Sequence, residues 1–138
     1  ATPPPAPAAE APVAPPPKVA EPEAPKPDLA EALKHAASVE KAGNPEAAYA
    51  AYTEVVSRFP SSQEAVKKRD ASKAALVRSL DREASVAFQR QNLDLAITKW
   101  DRVLELDPNN RKARLERERA LDLKKRLAEK FGGTAPKQ

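Results

Sequence analysis

The sequence lacks most of the residues that catalytic and metal sites are built from. It has no cysteine, one histidine and three glycines in 138 residues. The absence of cysteine excludes disulfides, thiolate metal sites and Cys nucleophiles. His35 alone cannot form a histidine metal cluster and is expected to be a half-buried packing residue, while three glycines cannot make a Gly-rich phosphate loop. Asp81 and Glu83 are two residues apart, on different sides of a helix, which argues against a carboxylate dyad. No enzyme activity, metal or cofactor is therefore expected.

Long apolar runs are also missing, and the prolines are concentrated at one end. No stretch approaches the roughly 18 apolar residues that a transmembrane helix requires, and 11 of the 15 prolines precede residue 28. Prolines at this density favour polyproline II and prevent core formation. Residues 1–28 are predicted to be a disordered Pro/Ala-rich linker. An alternative is that "PPKVAEP" or "PEAPKP" is a ligand for SH3-like or WW-like domains.

From residue 29 the pattern becomes helical, with Ala, Leu, Lys, Arg and Glu predominating. Asp28 and Glu31 form a capping-box pattern, and "SSQE" at 61–64 forms another. In "AGNPEA", Gly43 suits a left-handed helix end, Asn44 a cap and Pro45 a first helical turn. Asn92 is a further cap. The expected helices span residues 29–42, 45–58, 62–90, 93–106 and 109–130, and residues 132–138 are predicted to be a disordered tail.

Two segments of equal length repeat one another, residues 29–62 and 77–110. The second contains "AITKWDRVLELDPNN", which carries the only Trp and ends just after a proline. Aligned pairs include Ala36 with Ala84, Asn44 with Asn92, Ala48 with Ala96, Tyr52 with Trp100, Val55 with Val103, and Pro60 with Pro108. The segment between the copies, residues 63–76, is expected to lengthen the third helix at its N-terminal end by roughly four turns.

This pattern resembles the tetratricopeptide repeat (TPR), which has small residues at positions 8 and 20, an aromatic at 24 and Pro at 32. Some positions depart from the family: His35 and Glu83 replace the usual Leu at position 7, and Val39 and Ala87 the usual Tyr at position 11. The resemblance implies an all-α domain over residues 29–131, with two TPR-like hairpins, a long intervening helix and a C-terminal capping helix. Two repeats are few for a stable array. Either the long helix and the cap supply the missing burial, or the protein self-associates as a homo-oligomer.

The resemblance also implies a function, because TPR proteins bind peptides or proteins on the concave surface formed by the first helix of each repeat. A non-catalytic adaptor or scaffold with a protein or peptide partner is therefore expected. The positions carried over from the family are Leu33, Lys34, Lys41, Arg78, Arg82, Ser85, Phe88 and Gln89, together with Ala30, Ala37, Glu40 and Asp81. Ala37 and Ser85 stand where the family's carboxylate clamp has Asn. The clamp is incomplete, although the basic residues favour an acidic peptide.

The last predicted helix offers an alternative site. Residues 109–130 contain nine Lys or Arg and four acidic residues, so Arg114, Arg117, Lys124 and Lys125 are candidates for binding nucleic acid or an anionic membrane. The competing interpretation is a solvated face with i,i+4 pairs such as Arg114 with Glu118. Aromatic residues for base stacking are nearly absent from this helix, so nucleic acid is the less favoured partner.

The beginning of the chain, "ATPPPAPAAEAPVAPPP", looks like a mature bacterial lipoprotein just after its acylated Cys. That resemblance implies a proline-rich tether, a location in the periplasm or cell envelope, and membrane attachment only through a lipid anchor outside this sequence.

Overall fold

The computed structural model describes residues 27–131, which form five α-helices and contain no strand. No helix in this range has both the length and the apolar composition of a membrane span. The all-α prediction is confirmed, and each predicted boundary lies within two residues of the observed one. The helices are α1 Pro27–Lys41, α2 Pro45–Arg58, α3 Gln63–Gln89, α4 Leu93–Leu106 and α5 Arg111–Lys130.

Asparagine side chains cap the N-termini of three helices in the same way. Asn44 Oδ1 accepts a hydrogen bond from the backbone N–H of Ala47 at 3.1 Å, Asn92 from Leu95 at 3.3 Å, and Asn110 from Ala113 at 2.9 Å. Each bond satisfies an N–H group that has no partner within its own helix. Gly43, which closes α1, has φ +93°, and this left-handed conformation is easily reached only without a Cβ.

Three predicted helix starts were wrong by one or two residues. Helix α1 begins at Pro27, so Asp28 lies in its first turn instead of capping it, and residues 27 and 28 belong to the helix and not to the linker. Ser62, not Ser61, caps α3, since its hydroxyl accepts from Ala65 N at 3.1 Å. Helix α5 begins at 111, because Asn110 is the cap. The remaining predicted linker and the tail at 132–138 lie outside the described residues.

Helix α3 is the structural centre of the fold. Its 27 residues give a length of about 40 Å, against about 21 Å for α2 or α4. The extensive helix–helix contacts join neighbours along the chain: α1 with α2, α2 with α3, α3 with α4, and α4 with α5. Since α2 and α4 both run antiparallel to α3, the α1–α2 hairpin lies along its first half, and α4 and α5 follow its second half.

The buried side chains form two clusters, one for each half of α3. The first joins α1 and α2 to the start of α3 and consists of Ala32, Ala36, Tyr52, Val55 and Ala65. The second joins α3, α4 and α5 and includes Leu76, Leu80, Ala84, Ala96, Trp100, Val103 and Ala120. Tyr49 of α2 packs against the second cluster, so the two halves meet near the middle of α3.

An ion pair spans the same junction. Arg102 of α4 donates two hydrogen bonds to the carboxylate of Glu46 in α2, at 2.9 and 3.0 Å. Arg102 also holds the pKa of Glu46 below its ordinary value. Both side chains are more than a third exposed, so this pair contributes little free energy. Its geometry shows that the start of α2 lies beside the last turns of α4.

Because of Tyr52, the stability of the folded protein is expected to depend on pH in the alkaline range. Its side chain is 1% exposed, and its hydroxyl donates to Glu40 Oε1 at 3.0 Å. Burial, with the Glu40 carboxylate, raises the pKa of Tyr52 from 10.0 to about 12. The unfolded chain therefore loses this proton first as the pH rises. The stabilisation is complete below pH 10 and is lost progressively towards pH 12.

We expect the free energy of unfolding to fall between pH 10 and 12 more steeply in the wild type than in Tyr52→Phe. The excess slope approaches about 1.4 kcal/mol per pH unit for a single proton. Urea unfolding followed by circular dichroism at several pH values measures it. Equal slopes for the two proteins would show that the Tyr52 hydroxyl titrates alike in the folded and unfolded chains.

Candidate functional site

The predicted binding positions on α3 separate into an exposed group and a packed group. Arg78, Arg82 and Gln89 are exposed, and Ser85 is half-buried beside them. Neither Arg78 nor Arg82 has an ion pair or a side-chain hydrogen bond within residues 27–131. These two guanidinium groups are therefore available to a partner.

Phe88 and Asp81 belong to the packed group. Phe88 is half-buried against the second cluster, and its ring centroid lies 6.0 Å from that of Trp100 at an interplanar angle of 59°. Asp81 accepts hydrogen bonds from Trp100 Nε1 at 3.2 Å and from Lys112 Nζ at 2.7 Å, and it raises the pKa of Lys112. Asp81 thus links α3, α4 and α5, and Phe88 is engaged with the core.

The predicted positions on α1 lie on a different part of the molecule. Leu33 is half-buried against the first cluster, whereas Lys34 and Lys41 are exposed. The only extensive helix contact of α1 is with α2, along the first half of α3. Arg78 through Gln89 occupy the second half. The extension of α3 therefore displaces the two predicted parts of the site along the helix axis.

His35 is exposed, not half-buried as predicted. It faces an open depression of about 660 Å³ between α1 and α2, whose rim also carries Asp28, Glu31, Glu54 and Arg58. The side chain at this position of the first repeated segment is therefore exposed to solvent. Among the described residues, no group of three or more His, Asp or Glu side chains is arranged to hold a metal ion.

Most of the basic residues of α5 are already paired. Arg117 pairs with Asp101, and Lys124 pairs with Asp94 at 2.6 Å, both across the interface with α4. The predicted pair of Arg114 with Glu118 does not form, because Arg114 donates to the backbone oxygen of Pro108 at 2.7 Å. Of the four predicted anion-binding residues, Lys125 alone has no polar partner within the described range. Part of the positive charge of α5 therefore pairs with carboxylates of α3 and α4.

Two exposed cations on α3 are absent from the predicted site. Lys67 and Lys68 lie on the extended first half of α3 and have no ion pair or side-chain hydrogen bond in residues 27–131. The available signal is the run "KKRD", but a charge run within a helix does not show which cations stay unpaired. Close to the middle of α3, a shallow depression of about 370 Å³ is lined by Asp70, Lys73, Ala74, Val77, Arg78 and Asp107.

Comparison of the chain with models of protein families, with curated proteins and with solved structures gives no match.

Proposed function

We propose that this protein is a non-catalytic adaptor with a TPR-like architecture, which binds a protein or peptide through the exposed side of α3. The observation that carries the proposal is the equivalence of the two repeated segments. Ala36 and Ala84 are both 0% exposed, and Tyr52 and Trp100 are both 1% exposed. The positions that define the repeat therefore have the same burial in both copies.

The departures from a regular TPR array bear on where binding occurs. In a regular array the first helices of successive repeats line one continuous surface, but here α1 and the second half of α3 are displaced along the axis. The exposed residues Arg78, Arg82 and Gln89 lie together on α3 and present unpaired groups. We therefore place the partner on α3, and we place Leu33, Lys34 and Lys41 outside the main site.

The alternative function, binding of nucleic acid or an anionic membrane through α5, receives less support. Arg117, Lys124 and Arg126 are each held by a carboxylate, so binding a phosphate there would require an existing pair to break. The charge on α5 is in this view part of the scaffold.

The Pro/Ala-rich segment supports a further part of the proposal, a tether that carries the helical domain at a distance from an anchor in a bacterial cell envelope. Radiolabelled palmitate incorporation into the native precursor checks for the lipid anchor.

The adaptor proposal is tested by affinity capture from a lysate of the source cells with the full chain. Wild type is compared with R78E/R82E and with a matched control, K125E/K130E, which changes net charge equally on α5. We expect specific proteins to be retained by the wild type and the control and lost by R78E/R82E. A guanidinium that pairs with a carboxylate across an interface contributes strongly, and reversal of its charge adds repulsion.

Two results would contradict this function. Recovery of nucleic acid or lipid alone, eluted when salt rises from about 50 to about 200 mM, indicates counterion release at an anionic surface. Retention of the same proteins by all three chains moves the binding site away from Arg78 and Arg82.

A further inference from the structure

Most acidic residues of α3 are in ion pairs within the described residues, whereas most of its basic residues are not. The acidic residues beyond the first turn are neutralised: Asp70 pairs with Arg69, Asp81 with Lys112, and Glu83 with Lys99. Several cations of the same helix and its C-terminal cap have no ion pair or side-chain hydrogen bond within residues 27–131, namely Lys67, Lys68, Lys73, Arg78, Arg82 and Arg90. The uncompensated charge of α3 is thus strongly positive.

Four of these cations lie on one side of the helix. At 100° per residue, Lys67, Lys68, Arg78 and Arg82 fall within an arc of about 100°, and all four are exposed. We call this set the basic face of α3. The distance along the axis from Lys67 to Arg82 is about 22 Å. The only acidic residue in the arc is Glu64 in the first turn, where the helix dipole favours a negative charge.

The side chains between the two ends of the basic face are small. Ala71 and Ala75 lie in the same arc and are exposed, so no large side chain separates Lys67 and Lys68 from Arg78 and Arg82. Next to the arc, a depression of about 370 Å³ is lined by Ala74 and Arg78, and also by the carboxylates of Asp70, which is paired with Arg69, and Asp107. A chain lying along α3 can therefore approach the helix closely while it reaches both pairs of cations.

We propose that the basic face binds an acidic polypeptide segment that lies along α3 and places carboxylates near both ends of the face. This inference rests on the proposed adaptor function and specifies its partner. Lys67 and Lys68 belong to the site as fully as Arg78 and Arg82, so the extension of α3 takes part in recognition. Arginine holds a carboxylate with two parallel hydrogen bonds, which gives the second half of the face the greater geometric selectivity.

Other anions fit this face less well. The arc contains no aromatic residue on which a base could stack. Val86 is the only large apolar residue in the arc, so little apolar area is available to enter a lipid headgroup region. A carboxylate-rich chain requires neither feature. It would bind by pairing its carboxylates with the four separated cations and by lying close to the helix backbone.

The experiment measures binding of a fluorescent Glu-rich peptide of about 16 residues, about 24 Å long if helical, to the full-length protein by fluorescence anisotropy. A peptide with Gln at each Glu position is the matched probe. The protein variants are K67E/K68E, R78E/R82E and the control K125E/K130E. All six side chains are exposed and lack an ion pair within residues 27–131, so we expect unchanged helical circular dichroism.

We expect saturable binding of the Glu peptide and no binding of the Gln peptide. Kd should rise at least about tenfold in both K67E/K68E and R78E/R82E, and should change less than about twofold in K125E/K130E. An equal loss in K125E/K130E would show general charge attraction and overturn the inference, as would the absence of saturable binding. Tighter binding of duplex DNA or phosphatidylserine vesicles, lost in the α3 variants, would overturn it in favour of another class of anion.

Failure of the inference is distinguishable from failure of the adaptor proposal. If no protein is captured from the lysate, the adaptor function itself fails. If proteins are captured and are lost in R78E/R82E, but K67E/K68E and competing Glu peptide leave capture unchanged, only the acidic-partner inference fails.

Discussion

Replacement of Trp100 by Ala is expected to lower the free energy of unfolding by about 3–5 kcal/mol. The Trp100 side chain is 1% exposed, it packs against Phe88, and it is the largest member of the second cluster. Its removal leaves a cavity between α3 and α4 and also takes a hydrogen bond from Asp81. Small domains have about 5–15 kcal/mol of stability in total, so the midpoint of urea unfolding should fall sharply. Circular dichroism at 222 nm is the suitable probe, because the variant contains no Trp.

Trp100→Phe is the matched control. It keeps a ring in contact with Phe88 but cannot donate to Asp81, whose carboxylate still accepts from Lys112. We expect a smaller loss, about 1–3 kcal/mol, from the missing hydrogen bond and the reduced volume. If Trp100→Ala were no more destabilising than Trp100→Phe, the ring would not fill the interface between α3 and α4.

A proline at residue 75 is expected to disrupt the fold as severely. Ala75 is exposed near the middle of α3, so its replacement removes no buried side chain. Proline eliminates a backbone hydrogen bond and clashes with the preceding turn, at a cost of about 3 kcal/mol or more. Because α1 and α2 pack along the first half of α3, and α4 and α5 along the second half, the kink also separates the two clusters.

Two signals measure the effect of Ala75→Pro on urea unfolding. Circular dichroism reports all five helices, and the fluorescence of Trp100 reports the second cluster. The two transitions should coincide in the wild type and separate in the variant. Ala75→Gly, which keeps the N–H group, should cost only about 1 kcal/mol. Equal effects of Pro and Gly would mean that α3 is not continuous through this residue.

The helices were predictable because their ends are marked by residues with specific local chemistry. The end and cap residues Gly43, Asn44 and Asn92 affect only the backbone within four residues of themselves. Their roles can therefore be predicted from the sequence alone. The errors at the starts of α3 and α5 arose where two adjacent residues of the same type, Ser61 with Ser62 and Asn109 with Asn110, could each cap the helix. Which of Ser61 and Ser62 accepts the first N–H depends on the path of the preceding turn, and that path is set by tertiary packing.

The candidate site was less predictable, because ion pairing depends on contacts between distant residues. The sequence placed Asp81 and Phe88 on the same surface as Arg78 and Arg82. The structure turns Asp81 towards Trp100 and Lys112, which are 19 and 31 residues away. In the same way, Lys124 is held by Asp94. The number of charges on a helix does not show which of them are paired. Within the part of the chain that the structure describes, many cations of α5 are in ion pairs, whereas several cations of α3 are not.

The extension of α3 also determines how the two repeats are oriented. A straight α-helix over residues 63–76 turns through about 1,400°, which is about 40° less than four full turns, and advances by about 21 Å. The extension therefore moves the second repeated segment along the axis of α3 and rotates it only slightly about that axis. By this geometry, the extension would change the angle between the two repeated segments by only about 40°, while it increases the distance between them. An extension shorter or longer by two residues would instead leave a rotation of about 120° or about 160°. The outward side of the second hairpin would then no longer match that of the first.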